Sequence, residues 1–175
     1  MTDSTGLFDT LPDASAPYVL GPGEGDHRHF FDHLATRKLS AGPSSSMTAT
    51  VFTAPCGFGP PLHVHHDEDE LMVILDGELV ARSDDSQEIA GAGAIVHLPH
   101  GVPHSFQVLS PSATFVVVSG SNTAEPVFDR FVATLGAPLS EPVLPEPVGV
   151  DPGLVAEASA SHGMELLGPP PAPLD

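Results

Sequence analysis

Four side chains in this sequence have the types and spacing to share one divalent cation: His63, His65, Glu70 and His104. On a strand, residues two apart face the same way, so His63 and His65 aim two imidazoles into one volume. Glu70 lies five residues beyond His65, across the acidic turn His66-Asp67-Glu68-Asp69. It heads the next strand, where its carboxylate can return to the same place. Imidazole and carboxylate together suit a borderline first-row ion, among Ni, Fe, Mn, Co, Zn and Cu. A fourth donor must come from far along the chain, and His104, after Pro99-His100-Gly101-Val102-Pro103, is the best placed. Taken alone, a His-x-His pair on an exposed strand is more often solvated than ligating. His66 is expected on the opposite face, and His97 and His100 are not expected to be ligands. Spacing by itself leaves the fourth member open.

The elements that would position these residues are short. Seventeen Gly and twenty Pro divide 175 residues into pieces that suit strands and tight turns better than long helices. Residues 1–26 read as an N-terminal arm, with one short strand at Tyr18-Val19-Leu20. His29–Leu39 reads as an edge strand, and Met47–Thr53 has the β-branched content of a strand. Leu71–Leu75 is a strand, Asp76-Gly77 a hairpin turn, and Glu78–Arg82 the returning strand. Asp84-Asp85 makes another turn. Ala94–Leu98, Ser105–Leu109 and Ala113–Ser119 follow, giving an antiparallel barrel or sandwich over 27–120. Beyond it, 121–168 reads as a helical segment packing on the barrel. Val127, Phe128, Phe131, Val132 and Leu135 have helical spacing with Gly136 as a stop, and a second helix opens at Asp151-Pro152 and ends at Gly163. Residues 169–175 read as a flexible tail, and there is no internal repeat.

Charge excludes one class of partner. Twenty-three acidic residues stand against five basic ones, a net charge near −18 that repels phosphate backbones and anionic lipid. No nucleic-acid or membrane partner is expected. The single cysteine, Cys56, rules out an intrachain disulfide and reads as a small buried or half-buried thiol. With no leader pattern and no apolar run of membrane length, a cytoplasmic location is the expectation.

Two motifs give the site a family. Gly57, His63-x-His65, Glu70 and Gly77 resemble the first cupin motif at each defined position. Gly93, Pro99-x-Gly101 and His104 resemble the second, except that Val108 stands where the pattern usually has Asn. That Asn is not a ligand. The segments Gly21–Gly25, Pro60–His65, Glu68–Glu70, Leu98–His104 and His162–Pro170 further resemble the small bacterial mono-cupins grouped with quercetin 2,3-dioxygenase.

The resemblance implies an all-β fold, a cupin double-stranded β-helix with short C-terminal helices. It implies His63, His65, Glu70 and His104 as ligands of one divalent transition metal inside the barrel, with His104 as the fourth. It implies Glu70 as the catalytic base and a dioxygenase acting with dioxygen on a small apolar enol or phenol, flavonol-like or polyketide-like. In flavonol dioxygenases of this kind the ring opens with loss of carbon monoxide. A non-redox cyclase, isomerase or lyase, or a non-catalytic metal- or ligand-binding cupin, would fit the same residues. Phe58, Met72, Ile74, Phe106 and Phe115 are the candidate substrate pocket, with Val51 and Val117 also facing inward. This set reads as largely aliphatic, and Leu71-Met72 stand where similar enzymes often carry aromatics, which argues against a flat flavonol. Small cupins commonly pair through sheet edges, so a homodimer through Tyr18–Leu39 is the expected assembly.

Overall fold

A computed structural model describes residues 11–43, 45–83, 86–122 and 125–173. Asp84-Asp85, the expected turn, and residues 1–10 of the expected arm lie outside them. Period-two burial organises the chain. In β3 (Met47–Pro55) and β10 (Ser112–Gly120) every second residue is buried, so each strand gives one face to the core. The two pair antiparallel along their full length, from Ser112 opposite Pro55 to Gly120 opposite Met47.

One sheet runs in the order β11 (Ala137–Pro138), β1 (Asp26–Phe30), β2 (His33–Leu39), β3, β10, β5 (Asp69–Asp76), β8 (Ile95–Leu98). The other runs β12 (Met164–Leu166), β4 (His63–His65), β9 (His104–Val108), β6 (Glu78–Ser83), β7 (Gln87–Gly91). All pairings are antiparallel, and the apolar core between the sheets joins Phe52, Met72, Ile74, Leu79, Val108 and Phe115. This is a jelly-roll sandwich of two antiparallel sheets, the all-β class expected. Helix α1 (Phe128–Leu135) and helix α2 (Pro152–Ser161) follow. Asp151 caps α2, its side chain accepting from the Gly153 N–H. No helix of the described residues is long and apolar enough to cross a membrane.

Several local expectations are corrected. Asp76-Gly77 is not a two-residue hairpin, because β5 and β6 belong to different sheets and the turn crosses between them. Gly77 has φ 78°, and a Cβ there would meet the Ser112 carbonyl oxygen at 2.3 Å. Gly77→Ala is therefore expected to destabilise by at least about 2 kcal/mol, measured by urea unfolding. His29–Leu39 is two strands, not one, joined at Phe31-Asp32. Tyr18-Val19-Leu20 is not a strand; the Tyr18 hydroxyl donates to the Lys38 carbonyl at 2.8 Å. Within the Tyr18–Leu39 segment, β11 pairs with Arg28 and His29 of β1. Cys56 is exposed, not buried. The tail through Pro173 lies against the barrel: Leu62 donates its N–H to the Pro169 carbonyl, and Gln107 donates to that of Ala172 at 2.7 Å.

An ionic cluster under α1 fastens the β1–β2 hairpin to the helix. Arg28 and Arg37 both donate to Asp26, and Arg37 also donates to Asp129 of α1 at 2.7 Å. Arg37 is 2% exposed and Asp129 0%.

Candidate metal centre and substrate cavity

Each of the four donors is delivered by a strand end. His63 and His65 are the two ends of β4 and share a face, with ring centroids 5.1 Å apart. His104 opens β9 and sits directly opposite His63 in the ladder, its ring 4.5 Å away. Glu70, near the start of β5, crosses from the other sheet. Its Oε2 lies 3.5 Å from His104 Nε2 and 3.7 Å from His65 Nε2. One ligand atom from each of the four lies within 4.8 Å of the others.

The unused atoms define what the cluster is for. The Pro61 carbonyl takes His63 Nδ1 at 2.8 Å, and the Val102 carbonyl takes His104 Nδ1 at 2.9 Å. Those bonds place the proton on Nδ1 and turn the lone pair of Nε2 inward, the orientation metal-binding histidines need. His65 Nε2, His104 Nε2 and Glu70 Oε1 are buried with no hydrogen-bond partner. Three orphaned buried acceptors at one point would cost several kcal/mol unless something fills them. A divalent cation satisfies all three, so the donor set fits a metal.

The charges agree. Burial pushes His63 down to about 4, with His104 and His65 adding to the effect. Burial also lowers His65. Burial lifts the Glu70 carboxyl, but the nearby His65, His104 and His63 outweigh it and hold the group at about 2. At His104 burial acts downward, yet the Glu70 carboxylate 3.5 Å from its Nε2 raises the ring. The shifts at His63, His65 and Glu70 thus favour the ligating forms, neutral imidazole and ionised carboxylate. His66, His97 and His100 are exposed and lie outside this group of four. His100 donates its backbone N–H to Asp69.

Two residues that sequence reasoning passed over support the centre. Glu68 is 5% exposed and accepts from the Val127 N–H at the start of α1. Its carboxylate thus sits at the helix N-terminus, where negative charge is favoured. Burial pushes this group up to about 7. The bond docks α1 so that Phe128 packs its ring 5.8 Å from that of His65. No local pattern announces this contact, because Glu68 lies 59 residues before Val127. The second is Glu165: β12 pairs with β4, setting Met164, Glu165 and Leu166 opposite His65, Val64 and His63.

His63, Glu70 and His104 form part of the wall of a cavity of about 80 Å³ that opens to solvent. Of the expected pocket residues, Phe58, Met72, Phe106 and Phe115 line it, as does Val117. Ile74 does not: it shares the inward face of β5 with Glu70 and Met72 but lies further from the centre, in the packed core at 1% exposure. Val51 is on the outward face of β3, and its neighbour Phe52 lines the cavity instead. The lining is also more aromatic than expected. Phe30, Phe31, Phe52, Phe58, Phe106, Phe115, Phe128 and Phe131 all contribute, every phenylalanine of the chain except Phe8, which is not among the described residues.

One titratable group stands alone in that lining. Burial, then the nearby His29, lowers His33 to about 3. An unfolded His33 titrates near 6.5, so the unfolded chain takes up a proton first, and stability is lost as pH falls from about 6.5 toward 3. His33→Phe is expected to reduce the loss between pH 7 and pH 5 by about 2 kcal/mol, measured by urea unfolding at both values.

Residues 50–120 match the family model described as "Cupin domain". The quercetin 2,3-dioxygenase of Bacillus subtilis (strain 168) is 32% identical over 103 residues, covering 58% of this chain and 30% of that protein. The chain thus spans under a third of that relative's length. Among solved structures, oxalate decarboxylase from Bacillus subtilis superposes with a TM-score of 0.50 at 19% identity, covering 65% of this chain and 32% of that one. A sugar phosphate isomerase from a cupin superfamily, from Silicibacter pomeroyi, gives 0.45 at 22% identity, covering 52% and 60%. Both motifs and most strands of the two sheets fall within residues 50–120, the part of the chain that is similar to a cupin domain.

Proposed function

We propose that this protein is a metal-dependent cupin enzyme that holds one divalent transition metal through His63, His65, Glu70 and His104 and acts as a dioxygenase on a small enol or phenol. The observation that carries the reading is the set of orphaned donor atoms at the wall of an apolar, phenylalanine-lined cavity. The dioxygenase among its relatives supports the choice of reaction. A divalent metal bound there would lower the pKa of a substrate hydroxyl and stabilise the resulting oxyanion.

The chain's own residues do the rest. The phenylalanines bind a flat apolar body and exclude water, which strengthens every charge interaction inside. His63 and His104, fixed through their Nδ1 bonds, hold their Nε2 atoms in place. Glu70 stays ionised, and its Oε1 is the one unpaired carboxylate oxygen there. A carboxylate held at about 2 is a weak base, so it takes the substrate proton only from an acidified hydroxyl. That makes ligation its first role and proton transfer its second. The aromatic lining removes the argument against a flat substrate.

Oxygen-electrode measurements with a panel of enols and phenols test the reaction class. The dioxygenase reading predicts one dioxygen consumed per substrate lost. Substrate loss without oxygen uptake would instead make this a non-redox cyclase, isomerase or lyase. Glu70→Gln is expected to lower turnover by 10²–10⁴-fold with the fold intact. We also propose a homodimer, checked by light scattering on the purified chain.

A further inference from the structure

A cavity walled by phenylalanines has no structural use for a polar atom, and leaving one unpaired costs about 1–3 kcal/mol. His33 sits in that lining all the same. It is 2% exposed, and its Nδ1 has no hydrogen-bond partner. Its ring packs against Phe58 at 4.2 Å, Phe30 at 5.2 Å and Phe52 at 5.3 Å. The imidazole is neutral at physiological pH, since burial and then His29 hold it down to about 3. It therefore offers one N–H donor and one acceptor, and no charge.

The backbone that delivers His33 is also costly. Phe31, two residues earlier in the β1–β2 turn, has φ 55°, a conformation bulky side chains avoid. Such strain costs about 1–3 kcal/mol and persists where its surroundings enforce it. The Phe31 ring lies in the same lining. His33 is set apart from the metal cluster: ring contacts run from His65 to Phe128, from Phe128 to Phe52, and from Phe52 to His33. Two phenylalanines intervene along that path.

We propose that His33 is the distal anchor of the substrate, hydrogen-bonding a hydroxyl or carbonyl at the end opposite the oxygen presented to the metal cluster. The substrate is then a flat aromatic molecule with oxygen functions at both ends, uncharged at the His33 end. A neutral imidazole pairs with a hydroxyl in either tautomer, and it offers no counter-charge to a carboxylate or phosphate. The proposal rests on the reading of His63, His65, Glu70 and His104 as a metal site that receives a substrate oxygen. A site that must pair a buried polar group discriminates against analogues lacking the partner.

The test uses the full chain loaded with zinc, which is redox-inert, and calorimetric titration with 3-hydroxyflavone and its three analogues hydroxylated once on the pendant ring. Wild type is expected to bind at least one analogue about tenfold more tightly than 3-hydroxyflavone, the worth of one good hydrogen bond. His33→Phe is expected to bind all four within about twofold of each other, with zinc content unchanged. His33→Asn, which keeps an amide near the position of Nδ1, is expected to recover part of the preference; it also serves if the Phe variant folds poorly. A preference that survives in His33→Phe overturns the proposal, as does a wild type that binds all four equally. Zinc-loaded wild type that binds none of them overturns the enol-at-metal reading and the proposal with it, whereas failure to hold zinc overturns the metal site first.

Discussion

Replacing Arg37 with Met is expected to cost about 3–5 kcal/mol of folding stability, one of the two largest effects of a single substitution in this protein. Arg37 bridges Asp26 of β1 and Asp129 of α1, at 2.7 Å to each. Asp129 is fully buried, so removing Arg37 takes away its ion-pair partner while the Ser40 hydroxyl stays bonded to it. Breaking one partner of a buried pair costs more than replacing both, because the surviving charge stays desolvated. The double variant Arg37→Met/Asp129→Leu is therefore expected to regain stability relative to the single one. Urea unfolding of the single variant, the double variant and wild type reads both effects. A single variant within about 1 kcal/mol of wild type would show that the cluster does not hold α1 to the barrel.

Glu165→Pro is expected to weaken metal binding by about 10–100-fold, although residue 165 is exposed and touches no ligand atom. It stands in the middle of β12, opposite Val64 between His63 and His65. The pairing continues past both ends of β12, with the His66 N–H donating to the Gly163 carbonyl and the Leu167 N–H to that of Leu62. Proline removes a backbone donor and its ring cannot sit in a paired strand interior. β4 would then keep only β9 as a neighbour, and the direction of both imidazoles would loosen. Glu165→Thr, a good strand former, is the control: it also removes the exposed contact of Glu165 with His66, yet it should bind metal like wild type. Competition with a chromophoric chelator measures the affinities. Equal affinity in the proline variant would mean that β4 is held without β12.

These expectations draw unequally on the sequence and the structure. The cluster was legible early because its spacing is local. His63 and His65 share a strand face by parity, and Glu70 heads the next strand. Only His104 needed a long-range motif. The fold class followed from the same short, turn-bounded strands. The cavity was hard to read because its phenylalanines come from β1, the β1–β2 turn, β3, β9, β10, α1 and the loop before β4, so no sequence window shows them together. Val51 and Phe52 show how fine the margin is, since a one-residue slip in strand parity exchanges the inward and outward faces. Asp76-Gly77 has the residues of a hairpin turn, and turn chemistry does not reveal that the chain changes sheets there. The place of β12 could not be read either, since it pairs with a strand about 100 residues earlier, and three residues carry too little periodicity to mark a strand.

The central claim is that His63, His65, Glu70 and His104 hold one divalent metal. Elemental analysis tests it most directly, on protein purified from its own organism without chelators or metal-affinity resin, beside a His63→Ala/His104→Ala variant prepared the same way. About one equivalent of a single transition metal per chain is predicted for wild type, with under about a tenth for the folded variant. Folded wild type without metal, or a variant that retains the full equivalent, would contradict the account.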